Sequence, residues 1–84
     1  MTADIRMDRL ARPQWEALPE GVRREVEDAI PDGCYMTIVS THWGGHDYHA
    51  RIFRGHELVS ESLRCRYVEV AAWQALRMLN RSAA

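Results

Sequence analysis

No lysine occurs among the 84 residues; all 11 basic side chains are arginine. We attribute that bias to genome composition and give it no functional weight. Cysteine is nearly as scarce. Cys34 and Cys65 stand 31 positions apart and make no C-x-x-C pair, so neither a disulfide framework nor a cysteine zinc site organises the chain. We expect both thiols to be reduced. Long apolar runs are missing too: none approaches the roughly 18–20 residues of a membrane-spanning helix, and M-T-A-D-I-R-M-D-R-L lacks the apolar stretch of a signal peptide. We therefore expect a cytoplasmic protein that does not enter a membrane. There is also no G-x-S-x-G elbow and no glycine-rich loop leading into a helix. An enzyme and a resident cofactor are accordingly not expected.

What is present is the composition of an ordinary globular domain, 46% apolar and 27% charged. A chain of this length makes a single domain, 1–84, with room for one core and about 60–65% of its unfolded surface buried. We expect residues 1–7 and 81–84 to be frayed. The net charge of −1 argues against a protein that binds mainly by neutralising phosphates. Its distribution is less even. Residues 19–34 carry a net charge of −3 and residues 51–84 a net charge of +3.

Trp15, Leu18, Val22, Val26, Ala29 and Ile30 recur at spacings of three and four, which predicts a helix from about Gln14, restarted at Pro19 and stopped by Pro31-Asp32-Gly33. On that helix Arg23–Glu27 and Arg24–Asp28 are spaced as i, i+4 ion pairs. C-Y-M-T-I-V-S-T-H and D-Y-H-A-R-I-F-R are rich in β-branched and aromatic residues, with Gly44-Gly45 between them as a two-residue turn. Gly55-His56 provides a second turn, and E-L-V-S-E-S alternates as a short third strand. A last helix is predicted from Leu63 or Arg64 to Asn80. The expected fold is a small α+β domain of order α-β-β-β-α, a three-stranded antiparallel sheet with both helices on one face.

In the last helix Val68, Ala71, Ala72, Ala75, Leu76 and Leu79 share one side, and the alanines allow close packing on the sheet or on the first helix. Arg66, Val70, Trp73 and Arg77 fall on the opposite side, at spacings of four, three and four. Aromatic residues and arginine are enriched at the centres of interfaces, so this stripe is the first candidate for a protein-binding face; Trp43 and Tyr48 are second candidates. Arg77 stands one turn from Trp73, within reach of a cation–π contact. The alternative is that the first helix or the N-terminal segment covers Trp73.

The hairpin T-H-W-G-G-H-D-Y-H raises a different chemistry. A two-residue turn at Gly44-Gly45 pairs Trp43 with His46 and His42 with Asp47, which places His42, Asp47 and His49 on one sheet face as a minor candidate for zinc or ferrous iron. A polar hairpin tip accounts for the same residues without a metal. Two sheet faces compete for the core: Cys34, Met36, Ile38 and Phe53, or Tyr35, Val39, Tyr48, Ala50 and Ile52. We favour the first.

The order of elements and the last helix resemble the double-stranded-RNA-binding domain. Tyr35 opens the first strand, Gly55 fits the second turn, and Ala71-Ala72 with Ala75-Leu76 match the helix in spacing, over about residues 35–79. In the positions where that family carries its Gly-x-Gly, Ser, paired Lys and later Lys, this chain holds Val59 and Glu61, Leu63, Arg64 and Cys65, and Val68. Arg64 alone keeps a phosphate-binding charge there. The resemblance implies the α-β-β-β-α fold and, as an alternative function, nucleic-acid binding through Arg64, Arg66 and the hairpin His46.

The expected function is non-enzymatic binding of another protein, as a regulator, an assembly factor or a phage-type inhibitor of a host complex. Nucleic acid is the alternative partner, and self-association through the helix stripe into a homodimer is a further option.

Overall fold

A computed structural model describes residues 4–41 and 47–83. The elements run β1 (Ile5–Met7), α1 (Arg12–Glu16), α2 (Glu20–Ala29), β2 (Cys34–Ser40), β3 (Tyr48–Arg54), β4 (Glu57–Glu61) and α3 (Val68–Ala83). The α+β class is as expected. The sheet, however, has four strands in the order β1-β2-β3-β4 and is mixed, because β1 lies parallel to β2 while β2, β3 and β4 pair antiparallel. The expectation that residues 1–7 are frayed is corrected at Ile5–Met7, which pair with Met36–Ile38.

That edge strand is held by Asp8. One carboxylate oxygen accepts the Ala11 N–H at 2.8 Å and the other accepts the Ser40 N–H at 2.9 Å, while the Asp8 N–H donates to the Ile38 carbonyl. A single side chain thus fixes the exit of β1, the turn into α1 and the end of β2. Pro13 opens α1. Leu18 precedes Pro19 and is steered away from helical angles, so the first helix breaks into α1 and α2, with Pro19 extended at the N-cap of α2. On α2, Arg24 reaches back to Glu20 at 2.7 Å rather than forward to Asp28. Gly33 and Gly55 take positive φ angles of 83° and 62° at the two turns, a conformation that side chains disfavour.

All three helices lie over one face of the sheet, with α3 against β3 and β4 and braced by α1 and α2. Met36, Ile38, Ala50 and Ile52 point into that layer and are fully buried together with Val26, Val68, Ala71, Ala72 and Ala75. The alanines of α3 do let it lie close to the sheet. Ser60 donates to the Ala75 carbonyl at 2.6 Å, and Ser62 accepts the Ala50 N–H at 3.0 Å, so the two buried serines have partners. Both cysteines are free and buried, and burial pushes the Cys65 thiol up, which keeps it protonated.

The expected inner face was half right. Met36 and Ile38 are buried, but Phe53 lies on the outer face and Ile52 on the inner one. A two-residue turn at Gly44-Gly45 would pair Met36 with Phe53; the observed ladder pairs Met36 with Ile52 and Ser40 with Tyr48. This one-residue shift turns every side chain of β3 over. It also places Tyr48 in the core, 3% exposed, and so removes it as a contact residue.

The last helix begins at Val68 rather than at Leu63 or Arg64. Cys65 is held extended instead, exchanging backbone hydrogen bonds with Tyr48 at 2.7 and 2.9 Å, and Gln74 accepts the Leu63 N–H at 2.6 Å. Tertiary pairing overrides local periodicity over these residues.

Tyr48 has a pH consequence. Burial, and secondarily the nearby charge of Asp8, push its hydroxyl above the usual tyrosine range. Its folded value exceeds its unfolded value of about 10, so the associated stability is complete below that pH and is lost as pH rises through the folded value. Urea midpoints should fall above about pH 10, and Tyr48→Phe should flatten part of that fall. An unchanged alkaline limb in the variant would disprove the assignment.

Candidate functional site

Val70, Trp73 and Arg77 of the predicted stripe lie on α3, whereas Arg66 falls in the bend before it. Val70 is 46% exposed, Arg66 and Arg77 are exposed, and Trp73 is half-buried, with part of its ring packed on the core and the rest on the surface. Neither extreme expected for Trp73 holds: it is both packing and surface. Glu69, Val70, Trp73, Gln74 and Arg77 line a shallow depression of about 290 Å³. A second one, of about 410 Å³, adjoins it through Gln74 and Arg77 and is bordered by Leu63, Met78 and Arg81.

Two apolar residues of this surface were not singled out from the sequence. Leu63 is 75% exposed and Met78 47% exposed. Met78 lies two turns beyond Val70, a spacing that a wider stripe would have included. Leu63 could not be placed by helical periodicity because it precedes the helix; the Gln74 side chain holds its backbone there. Gln74 thereby joins the two depressions. Among the described residues neither Glu69 nor Arg77 has an ion-pair partner, and the cation–π contact is that of Arg6 over Tyr35 at 4.5 Å rather than Arg77 with Trp73.

The outer face of the sheet is the other surface that no helix covers. Arg6, Tyr35, Phe53 and Leu58 follow one another across the four strands. Tyr35 and Phe53 stack with ring centres 5.3 Å apart and planes 17° from parallel, and Arg6 occupies the other side of Tyr35. Tyr35 is thus engaged by both Phe53 and Arg6 within its own chain. Beside them Glu61 sits 3.4 Å from His49 and 3.5 Å from Arg51, which balances the charge of that face.

Of the remaining candidates, Trp43, His42 and His46 lie outside the described residues. Asp47 and His49 are described, and no group of three His, Cys, Asp or Glu side chains able to hold a metal occurs among the described residues. Arg64 is exposed ahead of α3, close in sequence to Arg66. No helix among the described residues is long and apolar enough to cross a membrane.

No family model matches the chain, no curated protein is significantly similar to it, and no solved structure matches its fold.

Proposed function

We propose that the protein is a non-enzymatic, cytoplasmic binding module that acts through protein–protein contact at the outer side of α3, in the manner of a regulator, an assembly factor or an inhibitor of a larger complex. One observation carries the proposal: Val70 and Trp73 form an apolar centre in a concave surface, bordered by Arg77 and continued by Leu63 and Met78. Apolar side chains of this size exposed together on one helix side mark contact sites, and a half-buried tryptophan already held by the core loses little freedom on binding. Trp73 is the anchor, and the arginines orient an acidic or polar partner. Two free, buried thiols support a reducing compartment.

The rival is nucleic-acid binding through the arginines around the same helix, in a module resembling the double-stranded-RNA-binding domain in the order α2-β2-β3-β4-α3. Arg64, Arg66, Arg77 and Arg81 are all exposed, which favours it. Binding of that kind falls steeply with salt, whereas a Trp-anchored contact need not.

Capture from host lysate with wild type and Trp73→Ala side by side, each with and without nuclease, separates the two. The proposal expects a protein that survives nuclease and is lost, or reduced about tenfold or more, with Trp73→Ala, the effect of removing an interface anchor. Recovery of nucleic acid that disappears with nuclease and in raised salt would favour the rival and move attention to Arg64 and Arg66.

A further inference from the structure

The depression on α3 has an internal symmetry of charge. Glu69 and Arg77 lie four residues to either side of Trp73, all three line the same depression, and Val70 and Met78 lie four residues to either side of Gln74 on the neighbouring row. Residues four apart form the ridges by which helices pack on one another. A second α3 laid antiparallel across the first, about a two-fold axis near Trp73 and Gln74, brings Trp73 against its own copy. The same arrangement directs Glu69 of each chain toward Arg77 of the other. It is an isologous contact, in which one patch serves both sides.

Resting on the protein-interface reading above, we propose that the occupant of this surface is a second copy of the chain, and that the protein forms a two-fold dimer through antiparallel α3 helices with reciprocal Glu69–Arg77 pairs around a Trp73 centre. Several observations carry this choice over an unrelated acidic segment. A purely acidic ligand would leave Glu69 facing like charge inside the depression, whereas a second copy supplies arginine at that place. Neither Glu69 nor Arg77 is engaged within its own chain among the described residues, so both are available to the pair. The like-charged ends do not prevent it. Helices whose four-apart ridges interlock cross at about 50°, which carries Arg66 and Arg81 of opposite chains apart into solvent, where charges separated by more than about 8 Å are largely screened at physiological salt.

A patch of one helix side plus Leu63 and Met78 is at the small end of specific interfaces. The dimer is therefore expected to depend on concentration.

Sedimentation of the full chain over a wide concentration series tests this. Wild type should pass from monomer to dimer and stop there. Glu69→Arg and Arg77→Glu should each weaken the dimer about tenfold or more by placing like charges together, and the double variant E69R/R77E should restore it toward the wild-type constant. Rescue is the decisive reading, because a change that merely harmed the first turn of α3 through loss of Glu69 would persist in the double variant. Thermal melts of all four proteins separate folding from association, and Arg77→Glu, at an exposed site within the helix, keeps the test open if Glu69→Arg folds poorly. A chain that stays monomeric throughout, or single variants that are not rescued in combination, would overturn the proposal. So would growth beyond the dimer, which indicates head-to-tail contact between the acidic α2 region and the basic α3 region. A monomer that still shows Trp73-dependent, nuclease-resistant capture of another protein would overturn the second copy as occupant while leaving the protein-interface reading intact. Loss of both would remove the two together.

Discussion

Replacing Asp8 with alanine is expected to lower the unfolding free energy by about 3 kcal/mol, through hydrogen bonds to a charged acceptor that contribute roughly 1.5–3 kcal/mol each when intact. The Asp8 carboxylate accepts the N–H groups of Ala11 and Ser40, the second from a residue 32 positions away, and both contacts are partly buried. Their sum is discounted because water can reach the freed donors in part. For a domain of this size total stability is on the order of 4–12 kcal/mol, so the loss is a large share of the whole. Asp8→Asn keeps one acceptor, now uncharged, and turns an NH2 toward the other N–H, so it should lose nearly as much. Chemical denaturation gives the energies, and hydrogen exchange should show the amides of β1 and Ser40 losing protection first. A loss below about 1 kcal/mol would mean that the strand is held by its backbone pairing alone.

The second large effect concerns the register of the sheet. Ile52 is fully buried on the central strand β3, between the sheet and α3, so Ile52→Ala should cost about 3–4 kcal/mol, the lost transfer energy together with an unfilled cavity. Phe53, its neighbour on the outer face, is only partly covered and stacks on Tyr35. Phe53→Ala should therefore cost less, roughly 1–2 kcal/mol, for the stacking and the partial burial. Urea titrations of the two variants decide between registers. The opposite order of effects would place Phe53 in the core and Ile52 outside, as the two-residue turn requires.

That comparison also shows where legibility from sequence stopped. The helix breaks at Pro19 and after Ile30, the turns at Gly33 and Gly55, and the inner side of α3 could all be read locally, because each depends on residues within a few positions of one another. Strand pairing between β2 and β3 depended on the parity of the connection between them, and a shift of one residue exchanged Phe53 for Ile52 and drew Tyr48 inward. Ile5–Met7 is too short to show alternation of its own; it becomes a strand only because β2 offers an edge and Asp8 ties the two together. The start of α3 was displaced for a similar reason, since the pairing of Cys65 with Tyr48 is a contact between distant residues.

The same division runs through the candidate site. Arg66, Val70, Trp73 and Arg77 were found by helical spacing, and three of the four lie on α3 itself. Gln74 and Met78 lie on the neighbouring i, i+4 row that a wider stripe would have included, whereas Leu63 joins the surface through a contact that spacing does not express. The stacked Tyr35–Phe53 pair on the outer sheet face could not be foreseen with the strands out of register.

The most direct test of the central claim, that the protein works through the outer side of α3, compares two surface variants in one nuclease-treated capture from host lysate. Val70→Asp alters the exposed apolar centre of α3, where an acidic residue near the start of the helix does not harm folding. Arg6→Ala with Arg51→Ala alters the outer sheet face, at exposed charges whose pairings contribute little to stability. Loss of the captured protein, whether a second copy of the chain or another protein, with Val70→Asp and its retention with the arginine pair is the predicted result. Retention with Val70→Asp, and loss when Arg6 and Arg51 are removed, would contradict it and place the working surface on the sheet.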